Sequence, residues 1–456
     1  MADLRGLLES GHPIFGTDGV RGEAGTELTA ELVMDIGRAA GTLFDNGPVV
    51  IGRDTRRSGT MLAAALAAGF QSVGVDTVDV GVIPSGGISL LTDRSAATMG
   101  AVVSASHNPA PDNGIKLLGE HGTKLPDDQE RQIEAQLRSP SRRAAVKGAI
   151  GTGSVDADAL REYVGYLVDV STYSLGGLEL ILDCANGAAF RAAPELFRRL
   201  KADVEVVSAE PNGMNINDGC GATHPEFLAA RAHGRVGLAF DGDADRLIAV
   251  DEDGRPANGD VIMAIIARHL KAHGALRNNI VVSTVMANLG FRKSLAEAGI
   301  EMVETKVGDR YVMEALVARR GLLGGEQSGH VIFLDKGRTG DGLLTAVRLL
   351  DVMAGTGKEL RQLRSEAITE YPQVLENVRV RRGADLDSAA PVWEAVADIG
   401  DDLGEEGRVL VRASGTEPLV RVMVEASTQE LAQRYADALV AVVATTLQEE
   451  VRATRS

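Results

Sequence analysis

The sequence predicts an α/β protein with three similar domains, each containing a mixed, mostly parallel sheet, and a smaller C-terminal α+β domain. Short apolar runs alternate with Ala- and Leu-rich segments at helical spacing, as in mainly parallel sheets. This pattern occurs three times, and in each copy an apolar strand ends in a polar loop. After residue 371 the pattern changes to shorter strands, one intervening helix and a closing helix.

Composition narrows the class of protein. The 456 residues include 53 glycines and only 4% aromatics, which favours α/β layers with tight turns. The net charge of -17 argues against a nucleic-acid partner. We expect the two cysteines, Cys184 and Cys220, to be free thiols in a reducing compartment. The N-terminal residues do not resemble a signal peptide, and no apolar run has membrane-spanning length, so a cytoplasmic location is expected.

The first predicted domain covers residues 1–153 and opens with FGTDGVRG at 15–22. Glycines there permit close backbone approach, and Arg21 between them can reach a phosphate. The alternative is a glycine-rich turn with a solvated arginine. A helix capped by Thr29, a buried strand at 49–51, an Ala-rich helix after Ser58 and a strand from Val73 to Val80 are expected to follow.

The first domain also contains the segment that we consider central, residues 99–109. An apolar strand ends at Val103 and is followed by SASHNP, and ligands of open α/β sheets bind at such strand ends. We predict that Ser106 is a covalent phosphate carrier with His107 beside it. The alternative is an ordinary polar turn. Shortly after, Lys116 is placed to donate hydrogen bonds or, with a lowered pKa, to transfer a proton, although without further context a solvated lysine is the favoured interpretation.

The second predicted domain, 154–257, places DGDADR at 241–246 after an apolar strand at 236–240. Asp241, Asp243 and Asp245 crowd carboxylates onto one short loop, and such hard oxygen ligands suit Mg²⁺ or Ca²⁺. Arg246 can hold an anion beside the metal. The loop is not an EF-hand, because the residue at its twelfth position, Glu252, lies beyond another apolar strand. An acidic surface turn is the alternative.

The third predicted domain, 258–371, carries GGEQSGH at 324–330 after a short apolar strand. Glu326, Ser328 and His330 alternate on this loop and offer acceptors and donors to sugar hydroxyls, with a titratable imidazole at the end. A purely structural loop is the alternative. A second polar loop contains Gly308 and Asp309. The domains are expected to be separated at 139–153 and at 256–260.

The fourth predicted domain, 372–456, carries RASGTEP at 412–418, with Arg421 in the next strand. Hydroxyls, a glycine and exposed N–H groups form an anion-binding nest, and both Arg412 and Arg421 can be bidentate. The segment lacks the Gly-Lys-Ser/Thr ending of a nucleotide P-loop.

Together these segments resemble the α-D-phosphohexomutase superfamily over essentially the whole chain. SASHNP resembles its phosphoserine loop, DGDADR its metal loop, GEQSGH its sugar loop and RASGTEP its phosphate loop. Residues 15–22, Gln327, 307–311 and 412–425 are similar to the branch acting on glucosamine phosphates; mannose- and glucose-specific members usually carry Met at position 327. One departure is PSG at 84–86, where relatives often have Pro-Thr-Pro, and we expect it to lie off the chemistry.

The resemblance implies four domains around a central cleft and one Mg²⁺ per chain. It implies interconversion of glucosamine 6-phosphate and glucosamine 1-phosphate through phosphorylated Ser106 and glucosamine 1,6-bisphosphate, in the bacterial cytoplasm, toward amino-sugar nucleotides and the cell wall. The implied partners are small sugar phosphates, without nucleic acid or membrane, and the implied assembly is a monomer or homodimer.

The resemblance also implies site residues. The implied catalytic residues, whose acid and base roles stay open, are Ser106, Arg21, His107, Lys116 and His330. The implied metal ligands are Ser106, Asp241, Asp243 and Asp245. The implied substrate-binding residues are Arg246, Gly308, Asp309, Glu326, Ser328, Arg412, Ser414, Gly415, Thr416 and Arg421.

Two other classes of protein remain open at this stage. A phosphatase would use the same phosphoserine and metal but let water attack. A non-catalytic sugar-phosphate sensor would keep residues 412–421 and lack the rest, and the presence of Ser106 and three aspartates counts against it. Within the mutases, the alternative is a phosphomannomutase/phosphoglucomutase.

Overall fold

The computed structural model of the chain describes residues 4–16, 18–44, 47–139, 149–381, 383–414 and 418–447. The chain forms two compact units. The first consists of Met1–Met286 with Ala298–Ala367, and the second consists of Ala287–Glu297 with Ile368–Ser456. The predicted linker at 139–153 lies largely outside the described residues, because 140–148 are not among them.

The first sheet of the first unit has six strands in the order β1-β5-β4-β2-β3-β6. The strands are β1 (Val20–Glu23), β2 (Val49–Arg53), β3 (Thr77–Val82), β4 (Met99–Val103), β5 (Asp112–Gly119) and β6 (Gly153–Val155). Strands β4, β2, β3 and β6 are parallel, whereas β5 and β1 are antiparallel to their neighbours. The helices of this segment are α1 (Leu4–Glu9), α2 (Ala30–Leu43), α3 (Gly59–Gln71), α4 (Ser85–Arg94) and α5 (Asp127–Arg138).

Two local predictions for this sheet have different outcomes. Thr29 caps α2 as expected, because its side chain accepts a hydrogen bond of 3.2 Å from the Leu32 N–H. The expected strand start at Val73 is wrong. Val73 still closes the turn after α3, Gly74 has a φ of +94°, and β3 begins only at Thr77. Strand β6 pairs with β3, so it spans the predicted boundary between residues 153 and 154.

The second sheet has the order β11-β10-β9-β7-β8. Its strands are β7 (Glu179–Asp183), β8 (Asp203–Val207), β9 (Val236–Phe240), β10 (Leu247–Val250) and β11 (Pro256–Ala257), and its helices are α6 (Ala159–Val170), α7 (Ala189–Arg199) and α8 (Pro225–Ala229). Strands β7, β8 and β9 are parallel, and β10 and β11 are antiparallel additions. All residues of β9 and β10 are buried, so the loop between them is anchored at both ends by buried, paired strands.

The third sheet has four strands in the order β13-β12-β14-β15. Its strands are β12 (Ile280–Thr284), β13 (Glu301–Thr305), β14 (Leu323–Gly325) and β15 (Val331–Phe333). The helices of this segment are α9 (Gly259–Ala272), α10 (Leu289–Glu297), which belongs to the second unit, α11 (Asp309–Arg319), α12 (Gly342–Thr356) and α13 (Leu360–Ala367). Strand β14 is parallel to β12 and antiparallel to β15.

The three sheets share one feature that positions the site. In each, a buried strand is followed by an antiparallel strand, and the loop joining the two carries one of the predicted functional segments. The loops are residues 104–111 between β4 and β5, 241–246 between β9 and β10, and 326–330 between β14 and β15. The predicted recurrence of one α/β unit with an analogous loop is therefore confirmed.

The second unit contains a three-stranded antiparallel sheet in the order β16-β18-β17. Its strands are β16 (Gln373–Arg379), β17 (Arg408–Ala413) and β18 (Leu419–Glu425), and its remaining helices are α14 (Ala390–Leu403) and α15 (Gln429–Leu447). Short 3₁₀ turns lie at Arg277–Asn279 in the first unit and Gly404–Glu406 in the second. The predicted fold class, three α/β domains and a smaller α+β domain, is confirmed. In the part of the chain described here, no helix combines the length and apolarity needed to cross a bilayer.

Candidate active site

Ser106 lies in the loop after β4 and faces the loop after β9. Its side-chain Oγ donates a hydrogen bond of 2.7 Å to Oδ2 of Asp241, and it lies 3.3 Å from Nδ1 of His107. Ser104 is used differently, because its Oγ donates to Asp54 at 2.6 Å and accepts the Ser106 N–H at 2.9 Å. The geometry therefore favours Ser106 over Ser104 as the reactive serine.

Asp241, Asp243 and Asp245 form a cluster in which one oxygen from each lies within 4.8 Å of the others. All three side chains are buried. Ser85 Oγ donates to Asp243 Oδ2 at 2.7 Å, and Lys116 Nζ lies 3.5 Å from Asp245 Oδ2. Oδ1 of Asp243 and Oδ1 of Asp245 have no hydrogen-bond partner among the described residues, although buried polar atoms normally have one.

The charge in this cluster calls for a cation. Burial and the neighbouring carboxylates raise the pKa of Asp241 and of Asp243. Burial also acts to raise the pKa of Asp245, but Lys116 and His330 outweigh it and hold that pKa below its usual value. Hard carboxylate oxygens without hydrogen-bond partners are the donor set that Mg²⁺ takes, so the three residues fit a divalent cation.

Basic side chains surround the aspartates. Nε of Arg246 lies 4.0 Å from Asp241 and 3.8 Å from Asp245, and Nε2 of His330 lies 3.8 Å from Asp245. Arg21 approaches from the first sheet, where its guanidinium donates to Asp18 at 3.1 Å and to Asn108 Oδ1 at 3.5 Å. The structure thus brings five predicted site segments to one place within the first unit.

His107 and Lys116 also have shifted pKa values. Burial, aided by Arg246 and Arg21, lowers the pKa of His107 to about 4, so this imidazole is neutral at pH 7. Burial acts to lower the pKa of Lys116, but Asp245 and Asp18 outweigh it and raise the pKa above its usual value. The lowered lysine pKa that proton transfer would require is absent here, and Lys116 is held as a cation.

The predicted sugar loop connects to the aspartate loop and to α11. Oε1 of Glu326 accepts the Gly308 N–H at 3.1 Å, whereas Ser328 is exposed. Gly329 O accepts the Leu247 N–H at 3.1 Å, and a Cβ at Gly329, whose φ is +92°, would lie 2.2 Å from Leu247 O. Only glycine fits at this crossing, which fixes the third loop against the second.

Two residues near Asp309 were not singled out from the sequence, Lys124 and Asp18. Lys124 Nζ lies 3.3 Å from Asp309 Oδ1 and 3.6 Å from Asp18 Oδ1, so it links the third and first sheets. Burial acts to raise the pKa of Asp18, but Lys116 and Lys124 outweigh it and lower the pKa. Lys124, Asp309 and His330 also line a cavity of about 600 Å³ whose other wall includes apolar residues of α11.

The expectation that the PSG segment at 84–86 lies off the chemistry is wrong. Besides the side-chain bond to Asp243, the Ser85 N–H donates to Asp243 O at 2.9 Å. The Ser85 hydroxyl, which a threonine in the Pro-Thr-Pro pattern would also supply, therefore orients the carboxylate of Asp243.

The predicted phosphate-binding residues lie in the second unit. Arg412 on β17 and Arg421 on β18 are direct cross-strand partners, and Nε of Arg421 is buried without a hydrogen-bond partner among the described residues. Burial, with the charge of Arg421, lowers the pKa of Arg412. Two adjacent guanidinium groups favour an anion between them. The Ser414 N–H donates to Leu419 O, while Gly415 and Thr416 lie outside the described residues.

Comparison with known proteins identifies the family of each domain. Family models for the α/β/α domains I, II and III of phosphoglucomutase/phosphomannomutase match residues 12–144, 158–254 and 258–371, and the model for its C-terminal domain matches residues 375–442. The fold and the serine–aspartate site together define a phosphohexomutase.

Similar proteins narrow the class further. The chain is 49% identical over 439 residues to a phosphoglucosamine mutase of Desulforudis audaxviator, covering 94% of this chain and 97% of that protein. It is 50% identical over 446 residues to the phosphoglucosamine mutase of Symbiobacterium thermophilum, covering 95% and 99%. A phosphoglucomutase/phosphomannomutase family structure from Burkholderia thailandensis superposes with a TM-score of 0.82 at 26% identity, covering 95% and 97%. The chain belongs to the phosphoglucosamine mutase family.

Proposed function

We propose that this protein interconverts glucosamine 6-phosphate and glucosamine 1-phosphate by phosphoryl transfer through Ser106. The observation that carries the proposal is the hydrogen bond from Ser106 Oγ to Asp241, inside a buried cluster of three carboxylates that fits a divalent cation. Similarity to phosphoglucosamine mutases over 94–95% of the chain supports the choice of sugar. The product would feed amino-sugar nucleotide and cell-wall precursor synthesis.

The metal proposed for this site is one Mg²⁺, held by Asp241, Asp243, Asp245 and the phosphate on Ser106. When bound, it supplies positive charge to the oxygens of the transferring phosphoryl group. Asp243 is oriented for this role by Ser85, and Asp245 by Lys116.

The first half-reaction transfers the phosphoryl group from Ser106 to the free hydroxyl of the sugar phosphate. The bond between the sugar oxygen and phosphorus forms as the bond between Ser106 Oγ and phosphorus breaks, and the product is glucosamine 1,6-bisphosphate. The sugar hydroxyl loses its proton and Ser106 Oγ gains one, so the net proton transfer is from the sugar hydroxyl to the serine. Arg21, Lys116 and His330 are proposed for proton transfer and charge stabilisation, with Lys116 and Arg21 acting as fixed positive charges.

In the second half-reaction the bisphosphate is reoriented, and its other phosphoryl group is transferred to Ser106. The bond between Ser106 Oγ and phosphorus forms as the bond between phosphorus and that sugar oxygen breaks, and the serine hydroxyl loses its proton while the sugar oxygen gains one. We propose that Glu326 and Ser328, with Gly308 and Asp309, read sugar hydroxyls in both orientations. The phosphate that is not being transferred is assigned to the phosphate loop in both orientations, and Arg246 is assigned to an anion beside the metal. The proposed phosphate-loop residues are Arg412, Ser414, Gly415, Thr416 and Arg421.

The remaining parts of the proposal concern organisation. We propose domain boundaries at residues 153/154, 257/258 and 371/372, a cytoplasmic location, sugar phosphates as partners, and a monomer or homodimer. Light scattering coupled to gel filtration distinguishes the monomer or dimer from any larger assembly.

The experiment that tests this function compares turnover of the glucosamine, glucose and mannose 1-phosphates by one preparation with Mg²⁺. We expect the glucosamine substrate to give the highest kcat/KM, dependence on catalytic amounts of bisphosphate, and little release of inorganic phosphate. Stoichiometric phosphate release would favour the phosphatase alternative, and a preference for glucose or mannose would reassign the substrate.

A further inference from the structure

Arg56 lies in the loop after β2, and every N–H of its guanidinium has an acceptor. Nη2 donates to the carbonyl oxygens of Ser106 at 2.9 Å and Asn108 at 2.7 Å, and Nη1 donates to those of Pro109 and, at 3.0 Å, Asp112. Nε donates to Oδ2 of Asp54 at 2.9 Å. The side chain is completely buried. A guanidinium has five N–H groups in a rigid fork, so no other side chain can make this set of bonds.

The backbone held by Arg56 is strained. Ser106 has a φ of +50°, in the left-handed region that non-glycine residues rarely adopt. Such conformations cost free energy and persist only when surrounding contacts determine them. Here Arg56 holds the Ser106 carbonyl, while Asp54, through Ser104 Oγ, holds the Ser106 N–H. The two peptide groups flanking the serine are thus both fixed from one buried ion pair.

Two loops of the segment that forms the second sheet also contact these carbonyls. Nδ2 of Asn217 donates to Ser106 O at 2.9 Å and to Asn108 O at 3.1 Å. A Cβ at Gly242 would lie 2.5 Å from Ser106 O, so the aspartate loop passes directly against this carbonyl. A shift of the Ser106 backbone would therefore change the separation between Ser106 Oγ and Asp241.

We propose that Arg56 is a positioning residue for phosphoryl transfer and that it acts with Asp54 and Ser104. The inference rests on the proposed role of Ser106. The hydrogen bonds of the Arg56 guanidinium go to four backbone carbonyls and to Asp54, so they do not bind Ser106 Oγ or the cluster of carboxylates in the loop after β9. Arg56 therefore acts on the reaction by holding the φ of Ser106 and the direction of its side chain. Misplacement of a reacting group by about 1 Å costs on the order of a hundred-fold in rate.

The test compares four variants of the full-length protein. Arg56→Lys keeps the charge but loses the fork, and Ser104→Ala removes only the hydroxyl that joins Asp54 to the Ser106 N–H. Arg53→Lys is the matched control, because Arg53 is the last residue of β2, three positions before Arg56, and its guanidinium pairs with Asp79 at 2.8 Å. Ser106→Ala is the inactive reference. The thermal midpoint is measured for every variant, and kcat, KM and the ³¹P chemical shift of the phosphoserine are measured for the three variants that keep Ser106.

We expect Arg56→Lys to lower kcat by about a hundred-fold and Ser104→Ala by about ten-fold, with KM changed less than about two-fold and an altered phosphoserine ³¹P shift in both. Arg53→Lys should behave like the wild type. If folded Arg56→Lys keeps the wild-type kcat, or loses only thermal stability, the proposal is overturned. If Arg56→Lys does not fold, Ser104→Ala decides: a wild-type kcat and ³¹P shift overturn the proposal. Failure of the proposed function looks different, since the wild type itself would then lack phosphoserine or turnover.

Discussion

Ser106 Oγ lies 2.7 Å from Asp241 Oδ2, although 135 residues separate the two in the chain. This contact joins the loop after β4 to the loop after β9 within the first unit. A phosphate on Ser106 would place about two negative charges against three carboxylates. A cation shared by both would stabilise that arrangement, so we expect serine phosphorylation and metal binding to be coupled at this site.

The aspartate loop should matter far more for chemistry than for folding. Asp243→Asn removes one of three clustered carboxylates, so we expect Mg²⁺ affinity to fall at least about ten-fold, as for perturbed metal ligand shells. The thermal midpoint of the metal-free protein should stay constant or rise, because repulsion within the cluster decreases. Activity is titrated against Mg²⁺, and thermal midpoints are recorded with and without it.

The control for this substitution is Asp253→Asn, which changes an exposed aspartate in the turn after β10. Unchanged activity of Asp243→Asn at limiting Mg²⁺ would refute the metal assignment. A large loss of thermal stability when Mg²⁺ is removed from the wild type would instead indicate a structural ion.

The arginine pair of the second unit should act as a phosphate grip. Arg412→Ala and Arg421→Ala each remove one charge-assisted contact, which contributes about 1.5–3 kcal/mol. Each should therefore lower kcat/KM for glucosamine 6-phosphate by about ten- to a hundred-fold. We expect KM to rise and kcat to fall, because the grip also orients the reacting hydroxyl.

Arg379→Ala is the matched control for the grip, since Arg379 is exposed on β16 of the same sheet. If steady-state kinetics of both pair variants matched those of this control, the phosphate-binding role of the second unit would be wrong.

Asp341 should make stability depend on pH. This buried side chain caps α12 and accepts the Tyr163 hydroxyl at 2.9 Å, and burial raises its pKa to about 6. The folded protein holds the proton more tightly than the unfolded chain, so this stabilisation is complete below about pH 4 and is lost as the pH rises to about 6. Asp341→Asn keeps the cap but does not titrate.

The midpoint of Asp341→Asn relative to the wild type should therefore rise as the pH increases from about 4 to about 6. The pKa shift from 3.8 to about 6 is about two units, which corresponds to about 3 kcal/mol, or roughly 3 °C for a protein of this size. Differential scanning fluorimetry at several pH values measures this difference, with Asp253→Asn as the control for removal of an exposed charge. A difference independent of pH would mean that Asp341 does not titrate as described.

Much of this site could be predicted because its reactive groups lie in contiguous segments at strand ends. The sequence 241–246 contains all three carboxylates, and Ser106 directly follows an apolar strand. The fold class followed from the alternation of strands and helices. The predicted start of β3 was wrong because Gly74, with its positive φ, extends the turn after α3 and the strand begins only at Thr77.

The residues that support those groups were not predictable in the same way. Ser85, Lys124 and Arg56 act through partners more than fifty residues away or through backbone carbonyls, as in the contact of Ser85 with Asp243 at a separation of 158 residues. In sequence they have the appearance of ordinary turn and loop residues. Their roles depend on how the hairpin loops of the three sheets pack together, and local patterns carry no information about that packing.

The central claim is that Ser106 carries the phosphoryl group during turnover, and a rapid-quench chase of enzyme-bound label tests it directly. Enzyme carrying [³²P]phosphoserine is mixed with excess unlabelled glucosamine 1-phosphate and Mg²⁺ and quenched at intervals. The label is then measured in the proteolytic peptide that contains Ser106 and in the sugar phosphates. We predict that label leaves Ser106 and appears in glucosamine 1,6-bisphosphate and then in glucosamine 6-phosphate, with little inorganic phosphate, while Ser106→Ala takes up no label and stays folded. Label on Ser104 alone, or label that remains on the protein while turnover proceeds, would contradict the claim.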